Sequence, residues 1–495
     1  MKEGTIMANK YDVIVVGSGS AGLYGAMNLP SDMKVLVLSK KDLTLCNSSL
    51  AQGGIAGVYK PTDDDTTEKH KEDTFIAGKQ KNNPETVDIL VKQAAHEIDT
   101  LIKIGVDFDK NESGELDRTL EGGHSRRRIF HHADATGAEI VKKLLEKVQT
   151  LPNVTIKDNS VMCGLKKTST GFSINVVRND VYTAYHCHYL ILATGGIGRI
   201  YAFTTNSAIA TGDGIAFAHN IGAEISHLSW IQFHPTAFND HKTRECFLVS
   251  ESVRGEGAYL LNNKKERFMQ KYDKRLELAP RDVVSHAIME ESHATNSDNF
   301  YIDIRYKGEE YLKHRFPMIY ENLLERGYDM SKDYIPIFPC QHYLMGGIKV
   351  DRNSETTIEN MYACGECSCT GVHGGNRLAS NSLLEALVFS RQAALDIAKK
   401  KDSAPKDFEE ADFNFAPDAK HIPTGIKTAV RGILQRSYFV EKHLDEAVSG
   451  LEKIKELEKT ILGGNYVPAE DYVESMAAVV CAKIILQEVV NGETP

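Results

Sequence analysis

The sequence predicts an α/β protein, in which a Rossmann-like dinucleotide-binding domain is interrupted by an inserted α+β capping domain and followed by a C-terminal helical bundle. Residues 11–39 have the pattern of a strand, a glycine-rich turn, a helix and a second strand. Between about 230 and 345 the pattern changes to short strands with isolated histidines and arginines, and from about 420 to 493 it becomes helical. These changes indicate separate domains.

The expected domain boundaries follow those changes of pattern. A chain of 495 residues is too long for one compact core. We expect the dinucleotide-binding domain at 1–229 and again at 346–405, the capping domain at 230–345 and the helical domain at 406–495.

The composition is that of an ordinary globular protein, with 42% hydrophobic and 25% charged residues. A net charge of −10 disfavours nucleic-acid binding. No apolar stretch is long enough to span a membrane, and the first residues, MKEGTIMANK, lack the apolar segment of a secretory signal. We therefore expect a cytoplasmic protein without membrane or nucleic-acid partners.

Nine cysteines are scattered along the chain, which favours reduced thiols over a disulfide framework. Three of them cluster at Cys364, Cys367 and Cys369, where a redox pair, a metal site or a structural loop would each fit. No second cluster with ligand spacing accompanies them. This favours the structural loop, and we expect no bound metal.

The first strand, residues 11–16, leads directly into the turn Gly17-Ser18-Gly19-Ser20-Ala21-Gly22 and a helix that ends near Pro30. Glycines at this spacing permit a tight turn, close approach of the backbone to a pyrophosphate and helix–strand packing, and the helix dipole favours the phosphates. The expected pyrophosphate contacts are Gly17, Gly19, Ser20, Ala21 and Gly22. The acidic residue that usually follows the second strand is replaced by Ser39 and Lys40, so a preference for NAD is not supported.

The remaining elements follow from periodicity and from glycine and proline signals. We expect helices at 84–104 and 134–149, short strands within 151–192, and a helix near 280–292. The segment 348–398 contains a strand pair (IKV and MYACGE), a glycine-rich loop and a helix from about residue 381. In the helical tail, breaks are expected at Gly450, Gly463 and Gly464. Two further glycine-lined segments, 189–196 and 211–214, can serve the same cofactor.

The stretch Glu121-Gly122-Gly123-His124-Ser125-Arg126 combines a carboxylate, an imidazole and the first of three arginines. Such a loop suits a ligand that carries both signs of charge. From sequence alone, a solvated loop glutamate is the more common interpretation of Glu121. The triplet Arg126–Arg128 is interpreted as a solvated basic patch and is not assigned to the site.

Together these and other motifs carry a family resemblance. The chain resembles the flavoprotein family of succinate dehydrogenases, fumarate reductases and L-aspartate oxidases over nearly its whole length, with motifs in the same order: GSGSAGL, AQGG (51–54), ATGGIG (193–198), TGDG (211–214), HPT (234–236), RGEGA (254–258), ELAPRD (277–282), HYLMGG (342–347) and GVHGGNRLASNSLLE (371–385). Several of these motifs are long and unusual.

Within that family the sequence is most similar to the L-aspartate oxidase branch, whose members oxidise L-aspartate to iminoaspartate with FAD and feed NAD biosynthesis through quinolinate. Residues EGGHSRRR and HHADATG resemble the loop whose glutamate faces the substrate amino group in that branch. Dehydrogenases and reductases have an uncharged residue at this position. The chain also ends in a short helical bundle, without the longer tail that docks an iron–sulfur subunit.

The resemblance implies a set of substrate and catalytic residues. His234, Arg281 and His342 are the expected catalytic residues, with Arg281 as the proton donor in the fumarate direction. The expected substrate contacts are Glu121, His234, Ser250, His342 and Arg377. The family usually has threonine at the position of Ser250, where the hydroxyl is retained.

The resemblance also implies the cofactor contacts. Relatives that attach FAD covalently do so through a histidine five residues before the glutamine of AQGG, and this chain has Asn47 there, so non-covalent FAD is expected. Ser39 and Lys40 are expected near the adenosine. The other expected FAD contacts are Asn47, Ser48, Gly53, Gly54, Asp213, Glu366, Ser382 and Leu383.

L-Aspartate, fumarate and oxygen are the expected reactants, and quinolinate synthase is a candidate partner. Two other functions remain open at this stage. One is a soluble fumarate reductase or succinate-oxidising flavoprotein, against which Glu121 is the discriminating residue. The other is a non-catalytic FAD-binding regulator, against which the intact His234, Arg281, His342 and Arg377 argue.

Overall fold

The computed structural model describes residues 9–60, 64–239, 243–413 and 418–495. Up to residue 230 the helices and strands are, in order, β1 (Lys10–Val16), α1 (Ser20–Asn28), β2 (Val35–Leu38), β3 (Ile55–Ala56), α2 (Thr67–Ala77), α3 (Pro84–Lys103), β4 (Ile129–Phe130), α4 (Thr136–Gln149), β5 (Val154–Lys157), β6 (Val161–Thr168), β7 (Gly171–Arg178), β8 (Val181–Leu192), α5 (Asp213–Asn220) and β9 (Ile225–Ser226).

Among the described residues after 230, the helices and strands continue with β10 (Ile231–Phe238), α6 (Glu251–Gly255), β11 (Tyr259–Leu261), α7 (Arg281–Thr295), β12 (Phe300–Asp303), α8 (Glu309–Arg315), α9 (Pro317–Glu325), β13 (Ile335–Leu344), β14 (Gly347–Lys349), β15 (Met361–Ala363), β16 (Ser368–Cys369), α10 (Asn381–Lys400), α11 (Ile426–Ser437), β17 (Tyr438–Phe439), β18 (Glu441–Lys442), α12 (Leu444–Gly463) and α13 (Glu470–Asn491). They complete the α/β architecture that the sequence predicts.

The main sheet has a parallel core in the order β5-β2-β1-β8, which β15 extends by pairing with the last residues of β8. Strands β7 and β6 continue from the earlier part of β8 in antiparallel fashion. Val13 and Val15 pack with α1, α4 and α10 on one face, whereas Ile14 and Val16 pack on the other. Burial on both faces explains why β1 and β2 are continuous apolar runs rather than alternating ones.

A second, antiparallel sheet has the order β10-β13-β12-β11 and its own apolar core. Its strands lie between residues 231 and 344. The first and last strands of this segment, β10 and β13, pair with each other along most of their length. This pairing brings His234 and His342 together although they are far apart in the sequence, with ring centroids 4.9 Å apart.

The C-terminal helices α11, α12 and α13 pack together and against the main sheet, with which they share one apolar core. Helix α12 begins at Leu444 and continues through Gly450 to Gly463. The prediction of a break at Gly450 is therefore wrong. A Cβ atom there would lie 2.7 Å from Cγ2 of Ile433 in α11, so this glycine allows two helices to approach closely.

The sequence predicts a pair of strands near residues 348–363, and the prediction is wrong about their pairing. Both strands exist, but β14 pairs with β9 and β16 in a small separate sheet, whereas β15 pairs with β8 of the main sheet. Two short apolar runs do not carry the information that selects their partners, because pairing depends on which edge is free in the folded chain. In the described part of the chain, no helix is long and apolar enough to cross a membrane.

Candidate active site

A cavity of about 590 Å³ extends from the carboxyl end of β1 to strand β13 of the antiparallel sheet, which we call the capping sheet. Ligands of open α/β sheets bind at this edge, outside the carboxyl ends of the strands. At one end the cavity is lined by the glycine-rich turn after β1. At the other it is lined by polar side chains from distant parts of the chain, among them Glu121, Ser250, Arg281, His342 and Arg377.

The turn after β1 contacts the cavity through Gly17, Gly19, Ser20 and Ala21. Gly17 has φ +122°, a conformation that L side chains rarely adopt. Gly22 does not line the cavity. A Cβ atom on it would collide with the carbonyl oxygen of Gly17, so Gly22 allows the helix to pack on the turn.

Two helix N-termini point to this cavity, those of α1 and α10. Neither Gly19, before α1, nor Ser380, before α10, supplies a side-chain hydrogen bond to its helix. Ser20, Ala21, Ser382 and Leu383, in the first turns of the two helices, line the cavity. The site therefore offers backbone donors and positive helix ends at two places, which fits a cofactor with phosphates and an electron-rich ring.

Ser39 and Lys40 also line the cavity, and both are held by side-chain contacts. The hydroxyls of Ser39 and Ser18 are 2.8 Å apart. The Lys40 ammonium lies 2.8 Å from Oδ2 of Asp213 and 2.7 Å from Oε1 of Glu474. Glu474 belongs to α13, so the C-terminal bundle reaches the edge of the cofactor cavity, which the local sequence pattern gave no reason to expect.

The predicted residues of the middle part of the cavity all line it, namely Asn47, Ser48, Gly53, Gly54 and Glu366. Asn47 accepts the backbone N–H of Ser207 at 2.9 Å and donates to Oε2 of Glu366 at 3.3 Å. The other oxygen of Glu366 accepts the N–H of Leu344. Burial raises the pKa of Glu366 to about 7, so this carboxyl group takes up a proton easily near neutrality.

Arg281 and Arg377 are both buried and both hydrogen-bonded to the same residue, Gln232, which the sequence analysis did not single out. Oε1 of Gln232 accepts from Nη1 of Arg281 at 2.9 Å and from Nη2 of Arg377 at 3.2 Å. Its Nε2 donates to the backbone oxygen of Arg377 at 2.8 Å. Burial and the nearby Arg281 lower the pKa of Arg377 to about 10. Residues two apart in a strand lie on the same face. The position of Gln232 two residues before His234 in β10 was therefore the sequence signal that could have identified Gln232.

His342 lines the cavity and is fixed at both ring nitrogens. Arg377 donates from Nη2 to Nε2 of the ring at 2.9 Å, so the proton of the neutral ring is on Nδ1, which lies 2.6 Å from Oγ1 of Thr205. Burial, Arg281 and Arg377 hold the pKa of His342 well below its usual range.

His234 is fully buried next to His342 but is not among the residues that line the cavity. Its Nδ1 accepts the backbone N–H of Thr236 at 3.2 Å, and its Nε2 is buried without a hydrogen-bond partner. Burial and Arg281 keep the pKa of His234 well below its usual range. The structure thus places a neutral imidazole with one unused N–H directly behind His342.

Ser250 lines the cavity at the start of the short helix α6. Its hydroxyl oxygen accepts the backbone N–H of Ser252 at 3.2 Å and the hydroxyl of Ser252 at 2.9 Å. The hydroxyl proton of Ser250 is therefore available to donate into the cavity.

Glu251, the next residue, forms a buried chain of charges that the sequence analysis missed. It accepts a hydrogen bond from Nε of Arg281 and lies 2.9 Å from Nη2 of Arg254, and all three residues are buried. Although burial opposes ionisation, the two arginines lower the pKa of Glu251. The motif RGEGA includes Arg254 but not Glu251, and the burial of Arg254, which requires an acidic partner, is visible only in the folded chain.

Glu121 is only 3% exposed and lines the cavity, so the interpretation as a solvated loop residue is wrong. Its Oε2 accepts the hydroxyl of Ser380 at 2.5 Å, and a Cβ atom on Gly53 would collide with its Oε1. Burial raises the pKa of Glu121, and the nearby Glu251 raises it further. Glu121 is thus a carboxylate with a raised pKa in the same cavity as the two guanidinium groups.

The loop that carries Glu121 is fastened by a buried ionic network. Arg128 is fully buried and lies 2.7 Å from Asp65 and 2.5 Å from Asp73. It also donates to Nδ1 of His124, whose Nε2 is 2.9 Å from the carbonyl oxygen of Ala379, next to Ser380. The prediction of a solvated basic patch is therefore wrong for Arg128, because folding brings two aspartates of another segment to it.

The cysteine cluster lies at the end of the main sheet, where Cys364 lines the cavity. Cys364 and Cys367 are free thiols and fully buried, and Cys367 donates to the carbonyl oxygen of Leu192 at 3.2 Å. Burial raises the pKa of both thiols, which keeps them protonated. Within the described residues, no group of three or more histidine, cysteine or acidic side chains could hold a metal ion.

Comparison with known proteins gives consistent results. Residues 12–383 match the family described as FAD binding domain. The chain is 48% identical over 403 residues to the L-aspartate oxidase of Clostridium perfringens, covering 81% of this chain and 89% of that protein. It is 46% identical to the L-aspartate oxidase of Clostridium acetobutylicum, covering 78% of this chain and 87% of the relative.

Among solved structures, a mutant quinol fumarate reductase from E. coli superposes with a TM-score of 0.88 at 26% identity, covering 97% of this chain and 88% of that one. A flavocytochrome c3 fumarate reductase in an open conformation gives a TM-score of 0.62 at 25% identity, covering 81% of each chain.

Proposed function

The chain belongs to the L-aspartate oxidases within the FAD-binding flavoprotein family, and we propose from this that it oxidises L-aspartate to iminoaspartate with non-covalently bound FAD. It is an oxidoreductase, and FAD is its cofactor. The observation that carries the choice of substrate is the position of Glu121. This buried carboxylate lines the same cavity as Arg281 and Arg377.

The substrate carries two carboxylates and one ammonium group, and the cavity offers a matching set of charges. The two arginines present forked donors, which pair with carboxylates through charge-assisted hydrogen bonds. The hydroxyl of Ser250 is a further donor. Glu121 supplies the negative charge that the ammonium group requires. A plain dicarboxylate would bring only negative charge to Glu121, so the same residue disfavours succinate.

Arg281, Arg377 and Gln232 act together in this proposal. A single amide oxygen accepts hydrogen bonds from both guanidinium groups, so their positions are fixed before substrate binds. Two like charges held together in a buried site repel each other and are stabilised by an anion between them. The binding of a dicarboxylate supplies that anion, and preorganised donors reduce the entropy that binding costs.

Oxidation at Cα requires a hydride acceptor, which FAD supplies when it is bound, and a path for the proton that leaves nitrogen. Ionised Glu121 is positioned to hold the ammonium group and to accept a proton from it. Arg281, Glu251 and Arg254 form a row of ionisable groups that leads away from the cavity, in which Arg281 donates a hydrogen bond to Glu251 and Arg254 contacts Glu251 as an ion pair. In the fumarate direction Arg281 would donate the proton, and Glu251 would then accept a proton from the Arg254 side and pass it to Arg281. Both histidines are held neutral and add no charge; His342 would contact the substrate, and His234 would support His342 from behind.

For the cofactor, we propose that the pyrophosphate lies against Gly17 and Gly19 at the start of α1. The flavin ring would lie between the segment of Gly53 and the first turn of α10. Lys40 and Asp213 already form an ion pair with each other, so they would contact the adenosine as a pair. Asn47 occupies the position at which a histidine would be needed for covalent attachment.

Oxygen and fumarate are the proposed electron acceptors. The likeness to fumarate reductases supports fumarate, because the quinol fumarate reductase shares the fold over 97% of this chain and the flavocytochrome c3 enzyme over 81%. The product, iminoaspartate, would be consumed in quinolinate formation, the first stage of NAD biosynthesis, and quinolinate synthase is the proposed recipient. The fold likeness also supports a second candidate, a fumarate reductase or succinate-oxidising flavoprotein.

An anaerobic flavin-reduction assay separates the two candidates. Purified FAD-loaded protein is mixed separately with L-aspartate, succinate and L-glutamate, and flavin absorbance is followed. We expect L-aspartate to bleach the flavin much faster than the other two. Reduction by succinate but not by L-aspartate would overturn the proposal. The variant Arg281→Leu should retain FAD and lose turnover; normal turnover would contradict the role given to Arg281.

A further inference from the structure

Three arginines from distant parts of the chain meet on one short segment outside the cavity. Arg199 follows β8, Arg244 precedes the cap helix α6, and Arg431 lies in α11. Arg431 donates from Nε to the backbone oxygen of Arg199 at 2.9 Å. Arg244 donates from Nε to the backbone oxygen of Ala202 at 3.4 Å, and its own carbonyl accepts the N–H of Thr204. The main-sheet domain, the cap and the helical bundle therefore each contribute one guanidinium group to the same place.

Among the residues that the structure describes, one carboxylate forms an ion pair with these three arginines. Oε2 of Glu245 is 3.6 Å from Nη1 of Arg199, too far for a hydrogen bond, and the Glu245 side chain is 45% exposed. Nη1 of Arg199 and Nη2 of Arg244 are both buried and donate no hydrogen bond. Buried donors without partners are rare in folded proteins, and an unseen ion or water is a common reason for them.

The electrostatics of the three side chains agree with this picture. Burial and the neighbouring arginines lower the pKa of Arg431 to about 10. Burial and Arg199 likewise lower the pKa of Arg244. The acidic residue that acts on Arg431 from α13 is Glu474, and its carboxylate is already bound by Lys40 and Lys427. Like charges therefore repel one another here.

We propose that Arg199, Arg244 and Arg431 form a binding site for a small oxyanion of the phosphate type. Guanidinium groups bind such anions through forked pairs of N–H donors, and three of them can surround one tetrahedral anion. The two unused buried N–H groups would then acquire acceptors, and the repulsion among the three charges would be relieved. The site is separate from the substrate cavity and does not depend on the proposed oxidation of aspartate.

Anion binding at this place would act on the neighbouring cavity. Glu245 and Cys246, which directly follow Arg244, line the cavity on the cap side. An anion held by all three arginines would fasten this cap segment to the main-sheet domain and to α11. The bound form should therefore have a more firmly attached cap segment than the anion-free form.

The test compares thermal stability of the FAD-saturated protein in a zwitterionic buffer of low ionic strength, with and without inorganic phosphate. The variants are Arg431→Gln and Arg244→Gln. The matched control is Arg436→Gln in the same helix, where the side chain is 58% exposed and lies 3.7 Å from Glu446. We expect phosphate to raise the Tm of the wild type and the control, but not that of the two variants. Calorimetry should show phosphate binding weakened by about tenfold or more in each variant.

The phosphate-dependent shift in Tm distinguishes a binding site from a purely structural role. Arg431→Gln also loses the hydrogen bond to the backbone oxygen of Arg199, and this loss lowers Tm equally with and without phosphate. The difference between the two Tm values should therefore be close to zero in Arg431→Gln and in Arg244→Gln. An equal phosphate effect on all four proteins would overturn the proposal, because the anion would then bind elsewhere.

Discussion

The variant Glu121→Gln tests the basis of substrate choice. It removes one negative charge and keeps the shape of the side chain, and its amide oxygen can still accept the hydroxyl of Ser380. Because Glu121 is only 3% exposed, solvent cannot replace the lost charge. A hydrogen bond to a charged group contributes about 1.5–3 kcal/mol, against about 0.5–1.5 kcal/mol for a neutral one. The expected loss is therefore about 1–2 kcal/mol, or about a 5- to 30-fold lower kcat/KM for L-aspartate.

Succinate should respond in the opposite direction. It has no ammonium group, and the wild-type carboxylate repels it in a buried site where charges are weakly screened. Removing that charge should leave kcat/KM for succinate unchanged or raise it. The ratio of the two constants is thus the decisive quantity, because a general loss of activity through misfolding would lower both.

The pH dependence provides a second measurement on the same variant. Burial raises the pKa of Glu121, so the ionised form that binds ammonium disappears as the pH falls through this raised value. In the wild type, kcat/KM for L-aspartate should therefore fall on the acid side, starting above the pH at which an ordinary glutamate is protonated. Glu121→Gln should lack this acid limb, because glutamine does not titrate.

Anaerobic stopped-flow reduction of the flavin gives both constants without interference from the electron acceptor. The matched control is Glu112→Gln, which makes the same change of charge at an exposed position on the preceding loop. The control should behave like the wild type with both substrates. If Glu121→Gln keeps both the wild-type preference for L-aspartate and the fall of kcat/KM at acid pH, Glu121 does not bind the substrate amino group.

Three further variants test the surroundings of the site. Arg128→Met leaves two buried carboxylates without a counter-ion, so the free energy of unfolding should fall by roughly 3–5 kcal/mol and the urea midpoint should be lower. An unchanged midpoint would contradict the burial of these ion pairs. Gln232→Leu removes the oxygen that accepts hydrogen bonds from both active-site arginines, so KM for L-aspartate and KM for succinate should both rise, by about 5- to 30-fold. An effect on one substrate alone would contradict the proposal that Gln232 positions both arginines. Glu474→Gln leaves Lys40 with one carboxylate, so the Kd for FAD, measured by flavin fluorescence, should rise about 5- to 30-fold. The kcat at saturating FAD should stay unchanged. An unaltered Kd would show that α13 does not support cofactor binding.

The sequence by itself determined the elements whose signals are local. The apolar run of β1, the glycine turn and the start of α1 follow from neighbouring residues, and so do the bounds of α3 and α4 to within two residues. The motifs also placed nearly all the expected cofactor residues on one cavity. The predictions of these elements succeeded because backbone conformation and the face that a side chain takes are set over a few residues, whereas contact of the cavity residues with FAD stays a prediction.

Only the tertiary structure decided which charges meet. Arg128 has the local sequence of a solvated basic patch, yet Asp65 and Asp73 reach it from another segment and make its burial possible. Lys40 is joined by Glu474 from the far end of the chain. The free energy of a buried charge depends on partners at any sequence distance, so no local pattern records it.

The same reason explains Gly450 and Glu121. From local sequence, a glycine in a helical segment predicts a break. At Gly450 the helix continues, because the absence of a side chain allows α11 to pack closely against it. From local sequence, a glutamate in a glycine-rich loop is expected to be solvated. Glu121 is buried because the folded chain places it against Ser380 and at the wall of the cavity. Local sequence fixes conformation, and the surroundings that give a side chain its charge state and its role come from the complete fold.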